Sequence, residues 1–79
     1  MTDLKETLSN IAKAIVDHPD EVQIVEEQDG DKVTLILSVA EGDMGMVIGK
    51  GGKIAKAIRT VMRAAATTCD KEVSVVIRD

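Results

Sequence analysis

The chain of 79 residues contains no phenylalanine, tyrosine or tryptophan, so its core must be built from Ile, Val, Leu, Met and Ala. A hydrophobic content of 44% is nevertheless typical of a folded globule. The single cysteine, Cys69, cannot form an internal disulfide, and the single histidine, His18, lies far from it in the sequence. We therefore do not expect a zinc site built from these ligands.

Long apolar runs are also absent, and none approaches the roughly 20 residues that a membrane-spanning helix needs. No secretory signal precedes the first helical pattern, and with one cysteine the sequence predicts a cytoplasmic protein. The length predicts a single small domain over residues 1–79, with no linker or repeat. Enzymes of this size are uncommon, and we expect neither an active site nor a cofactor.

Charge is unevenly distributed along the chain, although the net charge is only -4. Residues 1–31 carry nine acidic and two basic residues, whereas residues 44–69 carry five basic residues and no acidic one. A uniformly basic chain would favour nonspecific binding of polyanions. This distribution predicts a local anion site instead. The five basic residues are Lys50, Lys53, Lys56, Arg59 and Arg63.

An amphipathic pattern at the beginning of the chain predicts a first helix. Asp3 and Glu6 resemble an acidic capping box at its start, and Pro19 predicts its end near Asp17. We interpret His18 as a surface residue that the helix dipole favours at this end. The apolar positions of the pattern are Leu4, Leu8, Ile11 and Ile15.

Three strands are predicted from alternating or continuous apolar residues, over residues 21–28, 32–39 and 71–78. Asp29-Gly30 is typical of a hairpin turn and predicts that the first two strands pair. The second strand has the most hydrophobic run, so we place it in the centre of the sheet.

Two helices are predicted between the second and third strands. A short helix covers residues 43–48, with Asp43 as its predicted N-cap, and a longer one covers residues 53–66. This crossover predicts parallel pairing of the flanking strands if they are adjacent. The fold class is therefore α+β, in the order α-β-β-α-α-β, with three helices on one face of a three-stranded mixed sheet. The predicted buried face of the longer helix consists of Ile54, Ile58, Val61 and Ala65.

The most informative segment is the glycine-rich stretch from Val47 to Ile54, V-I-G-K-G-G-K-I. A nucleotide-binding P-loop is excluded because its glycine spacing is one residue short and Gly51 replaces the magnesium-binding hydroxyl. A tight connection between helices would explain one or two glycines, but not the exposed Lys50 or the lack of acids around it. The remaining interpretation is a clamp for a nucleic-acid backbone. In such a clamp glycines admit phosphates, and the following helix supplies its N-terminal N–H groups.

Residues 48–54 resemble the I-G-x-x-G-x-x-I signature of KH domains, with Ile54 one place before the final apolar position. The element order is similar to the type II KH fold. With Asp43-Met44-Gly45 and the segment 54–61, essentially the whole chain resembles the small bacterial RNA-binding proteins of the KhpA family. The resemblance implies a GxxG loop that clamps the backbone of about four single-stranded nucleotides. The loop residues are Gly49, Lys50, Gly51 and Gly52.

The resemblance also implies flanking RNA contacts and no catalytic or metal-binding residues. Val47, Ile48 and Ile54 become candidate groove residues, and Lys53 adds positive charge. Arg59 is a further candidate, although it could instead pair with an acid of its own fold. The lack of aromatic residues favours this groove over nucleic-acid folds that stack bases on aromatic side chains. Met46, where relatives often carry a base, and the flexible Gly51 are departures that could weaken affinity.

For function, the resemblance implies a post-transcriptional regulator or RNA chaperone linked to cell elongation or division. It further implies single-stranded RNA as a partner, together with a homodimer or a heterodimer with a KhpB (Jag)-like protein. The alternative is a protein-interaction adaptor, whose KH scaffold serves mainly for dimerisation and binds RNA weakly. The acidic net charge and Met46 favour this alternative.

Overall fold

The computed structural model describes residues 3–78. It confirms the α+β class and the predicted order of helices and strands, with short 3₁₀ turns at residues 19–21, 41–43 and 50–52 that the sequence did not predict. The elements are α1 (Leu4–Ile15), β1 (Gln23–Asp29), β2 (Lys32–Ser38), α2 (Met44–Ile48), α3 (Lys53–Thr68) and β3 (Glu72–Arg78).

Helix α1 begins as the sequence predicts and ends slightly earlier. The side chain of Asp3 accepts the backbone N–H of Glu6 at 3.2 Å, which confirms the cap. The helix ends at Ile15, two residues before the predicted end, because Val16 adopts an extended conformation and its side chain is buried in the core.

The sheet has the order β1-β2-β3, with β1 antiparallel and β3 parallel to the central β2. Strands β1 and β2 close at the pair Asp29–Lys32, so the central turn residues are Gly30 and Asp31 and not Asp29-Gly30. Gly30 has a φ of 62°. Two-residue hairpin turns require a positive φ at their first central position, where glycine is favoured. The α2–α3 segment forms the crossover, so it starts from the end of β2 that lies opposite this hairpin.

The core lies between the helices and one face of the sheet, where Val33, Leu35 and Leu37 of β2 are buried. On the helix-free face, Val25 and Val76 flank Ile36 in a single row across the strands, and both are exposed. The side chains alternate between the two faces of the sheet, so one face carries the core.

The predicted buried face of α3 is partly wrong. Ile58 is buried as expected, but Ile54 and Val61 are 39% and 50% exposed. The predicted positions and the positions that are buried in the structure both have helical spacing, so periodicity alone does not separate them. The structure selects the set with smaller side chains, and small residues let a helix approach a sheet closely. The residues that α3 buries are Ala55, Ile58, Met62 and Ala66.

The C-terminal end of α3 is closed by a residue in the left-handed conformation. Asp70 has a φ of 56°, the backbone N–H of Lys71 donates to the carbonyl of Ala66 at 2.9 Å, and that of Asp70 donates to Thr67 at 3.2 Å. This is the Schellman arrangement, in which glycine is the preferred residue at the left-handed position. Asp70 therefore carries backbone strain, and its negative charge lies at the unfavourable end of the helix dipole.

Asp70→Gly is expected to stabilise the fold by about 0.5–1 kcal/mol, because relief of strain exceeds the added entropy of the unfolded chain. Thermal unfolding followed by circular dichroism should show a midpoint about 4 °C higher. Asp70→Ala is the matched control, since it removes the charge and keeps the strain. Equal stabilisation by both variants would assign the effect to charge and contradict the role of backbone strain.

Candidate nucleic-acid interface

The glycine-rich turn joins α2 to α3 through three residues with positive φ. Gly49 has φ 75° and ψ 170°, and Gly51 and Gly52 have φ 67° and 79°. The N–H of Gly49 donates to the carbonyl of Gly45 at 2.8 Å, and that of Gly52 donates to Gly49 at 3.1 Å. The glycines thus let the chain turn from α2 into α3 within four residues, in conformations that other residues rarely adopt.

The three glycines differ in what surrounds them. A Cβ atom on Gly49 would lie 2.9 Å from both the Cβ and the backbone nitrogen of Ile54, and closer still to its Cγ1. A Cβ atom on Gly51 or Gly52 would meet nothing within 4 Å. Gly49 is therefore required by packing within the protein. Gly51 and Gly52 leave an open surface where a ligand can approach the backbone.

Positive charge and helix N–H groups lie beside this open surface. Lys50 and Lys53 are both exposed, one within the turn and one at the first position of α3. The N-cap residue Gly52 provides no side-chain hydrogen bond to α3. The N–H groups in the first turn of a helix have no partner within the helix and bind anions. The turn can thus receive a phosphate group from both side chains and backbone.

The three apolar groove candidates fall into two groups. Ile48 and Ile54 are 37% and 39% exposed and lie on either side of the turn, so they offer apolar surface next to it. Val47 is completely buried and belongs to the hydrophobic core. Its side chain supports α2 from inside and does not line a surface groove, because the buried face of this short helix points toward the core.

Within residues 3–78, Arg59 bonds to the backbone of its own fold and forms no ion pair with an acid. Its Nε donates to the carbonyl of Val75 at 3.2 Å, which ties α3 to the edge strand β3. Arg59 and Arg63 line a cleft of about 240 Å³ between α3 and residues 73–75 of β3. Of the basic residues of α3, Arg59 and Arg63 therefore lie on the flank that faces β3.

A contact between His18 and Asp43 was missed by the sequence analysis. Asp43 was predicted to cap α2, but its side chain makes no capping bond and is only 1% exposed. Its carboxylate accepts the backbone N–H of His18 at 2.9 Å and lies 3.1 Å from the ring Nδ1. This hydrogen bond, and then the negative charge of Asp43, raise the pKa of His18 above its ordinary value.

Residues 3–78 contain neither a cluster of metal-binding side chains nor a membrane-spanning helix. These residues contain no group of three or more His, Cys, Asp or Glu side chains that could hold a metal ion. None of their helices is both long and apolar enough to cross a membrane.

Sequence comparison relates this chain to known proteins. Residues 5–77 match the family model described as KhpA/KhpB, KH domain. The chain is 54% identical to the RNA-binding protein KhpA of Clostridium acetobutylicum over 94% of this chain and 99% of the relative. It is 47% identical to the protein of that name from Halalkalibacterium halodurans, over 96% and 100%. The identity to the Bacillus subtilis protein is 43% over the full length of both chains. The chain therefore belongs to the KhpA/KhpB family of KH domains.

Proposed function

We propose that this protein binds single-stranded RNA by clamping the sugar–phosphate backbone of about four nucleotides at the glycine turn. The observation that carries the proposal is the open space over Gly51 and Gly52, bordered by Lys50 and by the N-terminus of α3. Phosphates can reach the main chain there. The relatives whose names describe them as RNA-binding proteins support the same conclusion.

The proposed RNA path leads from the turn along α3. Phosphates contact Lys50 and Lys53, and unstacked bases lie against the exposed side chains of Ile48 and Ile54. Arg63 continues the positive surface toward β3. Since the chain has no aromatic side chain, the bases are held by aliphatic contacts and hydrogen bonds. Arg59 contributes charge while its Nε remains bonded to Val75.

We further propose that the protein acts in the cytoplasm as a single-domain, non-catalytic RNA chaperone or post-transcriptional regulator linked to cell elongation or division. A single domain with few phosphate contacts binds weakly, so a homodimer or a heterodimer with a KhpB (Jag)-like protein would raise the overall affinity. These assignments rest on the resemblance to the family.

A protein-interaction adaptor is the second candidate function. Val61 is 50% exposed on the outer face of α3, and Ala64 is exposed on the same helix. Such a surface is suited to helix packing against another protein. In this alternative the KH scaffold is mainly a dimerisation module, and RNA affinity is weak or absent.

The dependence of RNA affinity on salt tests the clamp. For single strands, the logarithm of the binding constant falls with the logarithm of salt concentration by about 0.7 for each phosphate neutralised. With three basic side chains engaged, an increase from about 50 to 200 mM salt should weaken binding about 18-fold. The measurement is fluorescence anisotropy of a labelled oligoribonucleotide.

The control for this titration is an analogue of the same base sequence with an uncharged backbone. It should bind more weakly than the RNA, and its affinity should change little with salt. If the RNA itself shows a slope near zero, its phosphates do not contact the basic residues. The adaptor would then be the better interpretation of the fold.

A further inference from the structure

Asp43 is the only charged side chain buried in the core among residues 3–78. Burying a carboxylate is costly unless the charge is paired and hydrogen-bonded. Among residues 3–78, this carboxylate is hydrogen-bonded by the backbone N–H and the ring Nδ1 of His18, which lies 25 positions earlier in the chain. The contact therefore joins the segment after α1 to the start of α2.

His18 is held in place independently of Asp43. Val16, two residues earlier, is buried in the core, and the following Pro19 disfavours helical geometry at His18, which has φ -120° and ψ 71°. The carbonyl of His18 also accepts the N–H of Glu21 at 3.0 Å. His18 is thus a fixed point against which Asp43 is positioned.

Asp43 directly precedes α2, so its contact with His18 anchors the start of that helix. Helix α2 has only five residues, a length at which a helix has little stability of its own. Val47 is the only fully buried residue within it, and the partly buried Met44 adds a second contact with the core. Gly49 follows directly at its C-terminal end. A shift of Asp43 would therefore move the glycine turn.

We propose that His18, acting through Asp43, is a positioning residue for the glycine turn, and that RNA affinity consequently increases as the pH falls from about 8 to about 6. This inference rests on the proposed RNA-binding function. The protonated imidazole attracts the buried carboxylate and tightens the contact. The neutral imidazole keeps at most a hydrogen bond through Nδ1.

The sign of the effect follows from the charges around the ring. Asp43 faces the imidazole from the start of α2, and Asp17 and Glu21 are its acidic neighbours in the connection between α1 and β1. All three raise the pKa of His18. Because the folded pKa lies above the unfolded one, the stabilisation is fully present below about pH 6.5 and is lost as the pH rises through the folded pKa.

The test measures RNA affinity at about pH 6 and about pH 8 for the wild type, His18→Gln and Asp43→Asn. His18 is the only histidine, so its NMR titration reports one imidazole without overlap. We expect wild-type binding to be about threefold tighter at the lower pH, and the affinity of both variants to be independent of pH. If Asp43→Asn does not fold, His18→Gln still tests the inference. The His18 side chain is half-exposed, so the protein should tolerate its replacement.

A salt titration at both pH values separates positioning from direct contact with RNA. Positioning leaves the salt slope unchanged, whereas a new phosphate contact by protonated His18 would steepen it by about 0.7 and overturn the inference. A pH dependence that persists in His18→Gln, or wild-type affinity that does not change with pH, would also overturn it. Absence of RNA binding at either pH would instead reject the proposed function, and this inference with it.

Discussion

The double substitution Lys50→Asp/Gly51→Asp is expected to weaken RNA binding at least about tenfold while the protein remains folded. It reverses one charge and adds a second negative charge at the surface where we propose that phosphates lie. It also places a side chain above a backbone position that is open in the native turn. Repulsion of the phosphates and loss of access to the backbone therefore both weaken RNA binding.

The fold should tolerate this change because both positions lie outside the core. Lys50 and Gly51 are exposed. Gly51 has φ 67° and ψ 17°, the left-handed conformation that aspartate adopts more readily than most residues. The expected loss of stability is about 1 kcal/mol, which circular dichroism and urea unfolding can verify before binding is measured.

The matched control is Lys5→Asp/Gly30→Asp. It introduces the same residue types and the same change in net charge, and Gly30 also has a positive φ and open space around it. Gly30 lies in the β1–β2 hairpin, at the end of the sheet opposite the glycine turn. The control should retain most of the RNA affinity. If Lys50→Asp/Gly51→Asp is folded and binds RNA as tightly as the wild type, the proposal that the glycine turn clamps RNA is wrong.

Gly49→Ala is expected to destabilise the protein by about 3 kcal/mol. Its φ of 75° and ψ of 170° fall in a region that is essentially restricted to glycine. The added methyl group would also overlap the side chain and backbone of Ile54 at the start of α3. A domain of this length has a total stability of only about 0.05–0.15 kcal/mol per residue, so the loss is a large fraction of it.

Urea unfolding gives the free energy directly, and the midpoint should fall by about 2 M or more. Gly45→Ala is the control, because it makes the same substitution four residues earlier, inside α2. A Cβ atom there meets nothing within 4 Å, and alanine favours a helix over glycine by about 1 kcal/mol. The control should be neutral or stabilising. Similar midpoints for the two variants would contradict the structural role of Gly49.

The sequence predicted the sheet well because its signals are local or strongly periodic. The hairpin glycine, the hydrophobic run of β2 and the crossover through α3 were sufficient for the strand order and directions. The face of α3 was less predictable. Two sets of residues fit the helical period, and only packing against the sheet selects Ala55 and Met62 over Ile54 and Val61.

The glycine turn was predictable for similar reasons, since its spacing and its basic flank are visible in the sequence. The different roles of Gly49 and Gly51 were not, because they depend on the position of Ile54 in three dimensions. The His18–Asp43 contact was not predictable either. It joins residues 25 positions apart, and Asp43 has the local appearance of an ordinary N-cap.

The strand order places acidic and basic residues at opposite edges of the sheet. Acidic β1, with Glu26, Glu27 and Asp29, forms the edge opposite β3, beside which the arginines of α3 lie. A polyanion that diffuses toward the protein is attracted to one edge and repelled by the other, so the protein is oriented before contact. In the binding mode that we propose, the acidic edge of β1 faces away from the bound strand.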